Sequence, residues 1–312
     1  MFYRKEPVMI DVLIIGAGPA GLSAAIYVER AGKHAVCIEE KMVGGQIVNT
    51  PEIANYPGIK KTSGFEFSMG LYEQATELGA EVEYERAAKI EKLAGDEEGF
   101  KVIAESGKEY EARTVIIATG AKNRHLGIDK EEEFTGRGIS YCATCDGAFY
   151  KKKDVAVNGG GNTALEDALF LSNYCNKVYI IHRRDEFRGE PKNLEAVKKK
   201  ENVEFVLNST VIDLKGEKSV EAVTVKDKIT GEEKDIPVSG LFIAIGQEPD
   251  NKGFMDVADL DPAGYVAADE SCTTKTPGIF VAGDCRTKAV RQLTTAASDG
   301  AVAALAACAY IG

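Results

Sequence analysis

An α/β fold of two parallel-sheet units, one inserted into the other, is what the 312-residue sequence predicts, and three observations carry it. A strand–glycine turn–helix–strand pattern occurs twice, with its turns at 16–21 and 159–164. The same 23 positions separate Gly16 from Glu39 and Gly159 from His182, so the second strand of each copy ends at a matching place. The strand-like runs that would complete the first copy, 114–118 and 278–282, lie on either side of the second. The expected division is therefore 1–121 with 246–312 as one discontinuous domain and 122–245 as the insert.

The first copy begins with the apolar run 8–15 and turns at Gly16-Ala17-Gly18-Pro19-Ala20-Gly21. An alanine-rich helix to about Ala31 and a strand at 35–38 ending at Glu39 follow. In a G-x-G-x-x-G turn the first glycine makes the tight bend and the second lets backbone approach a pyrophosphate. The third permits close helix–strand packing, and the helix N-terminus presents free N–H groups to the anion. Gly16, Gly18 and Gly21 fill these places, and Glu39 stands where a carboxylate accepts from ribose hydroxyls. With strand, helix and acid all present, the pattern reads as a Rossmann-like dinucleotide site rather than a bare tight turn.

The second copy has a strand at 154–157, the turn Gly159-Gly160-Gly161-Asn162-Thr163-Ala164, a helix over 163–172 and a strand at 178–181. Gly159, Gly161 and Ala164 are its G-x-G-x-x-A residues, and the strand ends in His182-Arg183-Arg184, with Arg188 close behind. An acid at this place repels a ribose 2′-phosphate, whereas a basic cluster attracts one through the fork geometry of arginine. Two such contacts at about 1.5–3 kcal/mol each would favour NADPH over NADH. The bland alternative is a solvated charged turn. The run 241–246 reads as the closing strand and turn of the insert.

Composition narrows the class. Hydrophobic residues are 44% and charged residues 28% of the chain, ordinary for a globular protein with a large core. The net charge of −11 argues against a nucleic-acid surface and against anionic lipid. The longest apolar run, 301–311, has eleven residues and falls short of the ~20 a membrane-spanning helix needs. Arg4 and Lys5 before an apolar run faintly suggest a signal peptide, but Asp11 interrupts that run and no small-residue cleavage site precedes Gly16. The expectation is a cytoplasmic protein with no membrane and no nucleic-acid partner. Seven cysteines at mostly scattered spacing are not a secreted disulfide framework.

Cys142-Ala143-Thr144-Cys145 is the exception. A C-x-x-C can be half a zinc site, a structural pair or a redox pair. No second pair stands at metal-ligand spacing, so no metal is expected, and two dinucleotide motifs in the same chain favour redox chemistry. If the cysteines start a helix, its N-terminus lowers a thiolate pKa. Asp146, directly following, could supply or remove the proton of exchange if burial raised its pKa; otherwise it is a turn residue before Gly147.

Together, 16–21, Gly44-Gly45-Gln46, Thr119-Gly120, Cys-Ala-Thr-Cys-Asp, Gly-Gly-Gly-Asn-Thr-Ala, His-Arg-Arg-Asp-Glu-Phe-Arg, Gly283-Asp284 and Arg291-Gln292 occur in an order that resembles low-molecular-weight thioredoxin reductases over nearly the whole chain. The resemblance implies a homodimer that passes electrons from NADPH through FAD and the Cys142/Cys145 disulfide to oxidised thioredoxin. It implies FAD contacts at Gly16, Gly18, Gly21, Glu39, Gln46, Asn55, Asp284, Arg291 and Gln292. NADPH contacts would fall at Gly159, Gly161, Ala164, His182, Arg183, Arg184 and Arg188. Cys145 would face the flavin, Cys142 would attack thioredoxin, and Asp146 would be the proton donor. The family's inserted domain rotates, so that dithiol and nicotinamide take turns at the flavin. Competing expectations are a dithiol oxidase, a peroxiredoxin-reducing flavoprotein, a ferredoxin-linked relative and a non-catalytic redox sensor. The basic cluster, the position of Gly16, the intact nicotinamide signatures and a turnover test respectively speak to these.

Overall fold

The computed structural model describes residues 9–50, 52–93 and 98–312. Arg4, Lys5 and Val8 lie outside these, and the first strand runs Ile10–Ile15. The chain divides into two compact units, Met1–Lys122 with Glu248–Gly312, and Asn123–Gln247.

In the first unit, Ile10–Ile15 lies between Ala35–Glu39 and Glu109–Ile117, parallel to both. Glu81–Tyr84 extends one side and Ile279–Val281 pairs in parallel with the C-terminal part of Glu109–Ile117. The N-terminal part of that nine-residue strand belongs instead to an antiparallel meander with Phe100–Ala104 and Ala87–Lys92. Both faces of the central strand are covered. Val12 and Ile14 pack with helix Pro19–Arg30 and the C-terminal helix Leu293–Ile311, while Leu13 and Ile15 pack with Phe100, Val102 and Phe254. Burial on both sides is why these strands read as continuous apolar runs.

The apolar run 301–311 proves to be part of a 19-residue helix, long and apolar enough by composition to cross a membrane. It lies directly on helix Pro19–Arg30: a Cβ on Gly300 would come 2.2 Å from the Ala20 carbonyl oxygen. Glycine at this point lets the two backbones approach.

The second unit repeats the plan. Its parallel strands stand in the order Val203–Val206, Lys177–Ile181, Asp154–Asn158, Gly240–Ile243, Ile139–Ser140. An antiparallel meander, Ser209–Lys215, Ala222–Asp227 and Glu233–Pro237, covers one face, and helix Asn162–Leu171 packs on the other. Residues 241–246, read as the closing strand, are in part an interior strand, Gly240–Ile243, between the glycine-motif strand and Ile139–Ser140.

Candidate active site

In the first unit the strand order reverses beside Ile10–Ile15, and its C-terminal end, carrying Gly16, opens at that switch point. This is where open parallel sheets bind ligands. Gly16 has φ +106°, and a Cβ there would sit 2.4 Å from the Ala118 carbonyl oxygen. A Cβ on Gly21 would sit 1.9 Å from the Gly16 carbonyl oxygen, whereas Gly18 has nothing within 4 Å. The turn and the packing are thus fixed at the outer glycines, and open space is left at the middle one. Glu39 accepts from the Ala17 and Lys41 N–H groups (2.8 and 3.0 Å), which pins the acid to the glycine turn with lone pairs to spare.

Around this turn, Gln46 donates to the Ala121 carbonyl (2.7 Å), and Asn55 donates to Gln292 (3.3 Å). Arg291 donates to the Asp284 and Arg286 carbonyls and stacks on Tyr265, its guanidinium 4.1 Å from the ring centre. Asp284 Oδ1 is buried with no partner among the described residues. Burial pushes this carboxyl's pKa up, against the pull of Lys288 and Arg291. A buried acceptor without a protein partner near a glycine turn that admits close backbone approach fits a dinucleotide carrying a polyol, such as a flavin dinucleotide.

Two residues that the sequence did not single out hold this end of the sheet together. Asn251, fully buried, accepts from Thr119 and donates to the Gly264 and Cys285 carbonyls. Asp299 accepts from Arg286 through both oxygens (2.8 and 2.9 Å), from Lys288 (2.8 Å) and from Gly283 N–H (3.0 Å). Neither belongs to a sequence motif: Asn251 meets Thr119 from 132 positions away, and the partners of Asp299 stand 11 to 16 positions before it.

In the second unit the glycine logic recurs. A Cβ on Gly159 would sit 2.4 Å from the Ala244 carbonyl oxygen and 2.8 Å from the Ala164 Cβ, and Gly161 faces open space. Arg183, Arg184 and Arg188 are exposed, and no ion pair engages their guanidinium groups among the described residues. His182 does not belong with them as a cation. It is 8% exposed, lies under Gly160, hydrogen-bonds the Glu186 carbonyl and stacks on Phe187. Burial and the three arginines lower its pKa, so the neutral ring is favoured and it scaffolds the loop.

Cys142 and Cys145 form a disulfide, Cα–Cα 5.3 Å, both half-buried. The pair follows strand Ile139–Ser140, which is parallel to the glycine-motif strand with one strand between them. Disulfide and Gly159 turn therefore open on the same edge of one sheet, at a spacing of two strands, about 10 Å. Cys142 caps only a four-residue helix, Ala143–Asp146, so any dipole acting on its sulfur is that of a single turn. Asp146 is raised in pKa by burial, partly opposed by a hydrogen bond from Ser140. Tyr141 donates to buried Glu131, which also accepts from the Leu126 and Gly127 N–H groups. Beyond the helix, Phe149 is 46% exposed at an open cavity of about 720 Å³ also lined by Tyr150, Lys152, Lys153 and Glu221. The remaining cysteines are free: 37, 175, 272 and 285 buried, 308 half-buried.

A half-buried disulfide, a nucleotide-type turn on the same sheet edge and a second such turn in the other unit define a class of enzyme. Residues 10–300 match the family model described as pyridine nucleotide-disulphide oxidoreductase. A thioredoxin reductase of Listeria innocua is 43% identical over 308 residues, covering 98% of this chain and 95% of its own length. One from Helicobacter pylori is 44% identical over 311 residues, covering 97% and 99%. The crystal structure of thioredoxin reductase from Streptococcus pyogenes superimposes with a TM-score of 0.91 at 40% identity, covering 98% and 99%. The chain belongs to the pyridine nucleotide-disulphide oxidoreductase family, whose members are flavin- and nicotinamide-dependent oxidoreductases.

Proposed function

We propose that the protein is an NADPH-dependent thioredoxin-disulfide reductase. The observation that carries this reading is the Cys142–Cys145 disulfide on the same sheet edge as the Gly159 turn and its exposed arginines. The names of its full-length relatives support the choice of a protein disulfide as substrate, as does the exposed Phe149 beside an open cavity.

The unit of residues 1–122 and 248–312 would hold FAD, with Gly16, Gly18, Gly21 and Glu39 at its ADP half. Gln46, Asn55, Asp284, Arg291 and Gln292 would lie toward the flavin. The unit of residues 123–247 would hold NADPH through Gly159, Gly161, Ala164, Arg183, Arg184 and Arg188. When bound, FAD supplies a two-electron carrier between reduced nicotinamide and disulfide. Cys142, first in the pair, attacks thioredoxin; Cys145 closes the ring again; Asp146 holds the proton that exchange moves.

A homodimer is part of the proposal, supported by the exposed apolar side chains Tyr27, Val302 and Leu305 on the paired helices Pro19–Arg30 and Leu293–Ile311. So is a reducing, cytoplasmic setting, supported by five thiols left free.

Anaerobic titration with NADPH tests the relay. Flavin absorbance should bleach and then recover on addition of oxidised thioredoxin, and Cys142→Ser and Cys145→Ser should each abolish turnover. Absorbance indifferent to NADPH, or turnover that survives either substitution, would refute the reading.

A further inference from the structure

Ser140 ends the strand that delivers the redox pair and is 3% exposed. Its hydroxyl oxygen is 2.6 Å from Asp146 Oδ2, 3.1 Å from the Cys142 nitrogen and 3.3 Å from the Cys142 carbonyl oxygen. One hydroxyl thus joins the first cysteine of the pair to the carboxyl that follows the second. We propose that Ser140 is the positioning residue of the dithiol site, holding Asp146 against the Cys142–Cys145 turn and serving both protonation states of its carboxyl. The inference rests on the thioredoxin-reductase reading for its kinetic consequence, though not for its structural one.

A hydroxyl has one proton and two lone pairs. With Asp146 ionised, Ser140 donates to it and accepts from Cys142 N–H; 2.6 Å is the length of a charge-assisted O–H···O⁻ bond. With Asp146 protonated, the carboxyl donates to Ser140 and the Ser140 proton turns to the Cys142 carbonyl. No buried polar group is orphaned in either state, so the carboxyl gains or loses its proton without disturbing the cysteine turn.

The surroundings offer no substitute. Strand Gly240–Ile243, paired with the Ser140 strand, has no titratable side chain. The turn Gly147–Tyr150 supplies Tyr150, raised to about 12 by burial and by the Asp146 charge, with Lys153 over its ring and Cys175 nearby. Helix Asn162–Leu171, which also packs on this turn, supplies Glu166 and Asp167, the latter raised to about 7 by burial. None of these groups hydrogen-bonds Asp146 among the described residues, and those on the packed helix are acids.

The proton matters because the exchange must balance. The Cys142 thiolate attacks one sulfur of the thioredoxin disulfide; a mixed S–S bond forms, and the other thioredoxin sulfur leaves with the electron pair and takes a proton. Cys145 then attacks Cys142, re-forming the enzyme disulfide, and the second thioredoxin sulfur leaves and is protonated. The enzyme dithiol is oxidised, thioredoxin is reduced, and two protons pass from one to the other. Asp146 lies where one of them can wait.

The test uses the FAD-loaded enzyme and three substitutions. In oxidised protein labelled with ¹³C-aspartate, the Asp146 carboxyl, assigned by its loss in Asp146→Asn, should titrate at higher pH in Ser140→Ala than in the unaltered chain. Ser140→Thr, which keeps the hydroxyl, should restore it. The limb of the kcat/KM pH profile for thioredoxin that Asp146 sets should move the same way in Ser140→Ala, by about one pH unit. Asp146→Asn should remove that limb of the profile. Coincident carboxyl titrations in the unaltered and Ser140→Ala proteins would overturn the inference. So would a titrating limb that persists in Asp146→Asn. A shifted carboxyl in an enzyme that does not reduce thioredoxin would uphold the positioning role and defeat only the functional reading.

Discussion

At the scale of single residues, the second-unit strand end shows how one place in a fold is tuned by charge. Glu39 closes the matching strand of the first unit and is tied to Ala17 N–H, whereas Arg183, Arg184 and Arg188 stand exposed with no ion pair among the described residues. Exposed guanidinium groups that need not leave a buried partner lose little by meeting a phosphate. Replacing Arg183 and Arg188 together by alanine should cut the preference for NADPH over NADH in kcat/KM by about 10²- to 10⁴-fold, the worth of two charge-assisted contacts. Steady-state kinetics with both nucleotides reads this directly, and an unchanged ratio would show that the cluster is only a solvated turn. His182, grouped with the arginines from sequence, should behave otherwise. Its ring fills the space under Gly160, so His182→Ala should loosen the nucleotide loop and weaken both nucleotides alike. Composition near a motif marks a charged place; only burial separates the residues that meet a ligand from those that support them.

At the scale of elements, the glycine turns were legible because each demands a residue type at a fixed offset. Other elements were legible only in part. Strand Glu109–Ile117 was read from Thr114 onward, because its C-terminal half is buried on both faces and unbrokenly apolar. Its first half alternates, Tyr110 and Ala112 inward against Glu109, Glu111 and Arg113, as a strand at the edge of a meander does. Of helix Leu293–Ile311 the sequence showed only the apolar run 301–311, with no helix assigned to it. The helix's first half carries Asp299, which is acceptable in the interior because Arg286 and Lys288 converge on it from a distant turn. Burial alone would raise the Asp299 carboxyl, but its hydrogen bonds to Arg286 and Lys288 prevail and hold it below the ordinary aspartate range. A depressed native pKa contributes stability above the unfolded value and loses it as pH falls through the native one. Asp299→Asn should therefore cost about 3–5 kcal/mol at neutral pH, since it leaves buried Lys288 without this carboxylate and buried Arg286 with only the exposed Glu270. The deficit should shrink on acidification below the ordinary aspartate range. Denaturant unfolding across that range measures both, and a deficit independent of pH would deny Asp299 the role.

At the scale of the whole molecule, the insertion has a physical rationale in the insert's own ends. Arg124 N–H donates to the Gly246 carbonyl (3.1 Å) and Gln247 donates to Asn123 (3.0 Å), so the segment enters and leaves at one point. A segment with joined ends can be placed in a host chain at the cost of one loop closure, which grows only slowly with length. Asn123–Gln247 also has its own core on both faces of its sheet: Val155 and Val157 on the helix side, Ala156 with Leu241 and Val223 on the meander side. At 125 residues it is large enough to bury most of its surface unaided. Residues 123–247 expressed alone should then fold with a single cooperative transition, form the Cys142–Cys145 disulfide and bind NADPH while remaining colourless. The complementary chain, 1–122 joined to 248–312 by a short flexible linker, should take up FAD without responding to NADPH. Calorimetry and nucleotide titration of the two fragments decide the matter. A fragment of 123–247 that melts without cooperativity would mean that its fold depends on the host unit. A yellow 123–247 fragment would reverse the assignment of the two dinucleotides to their units.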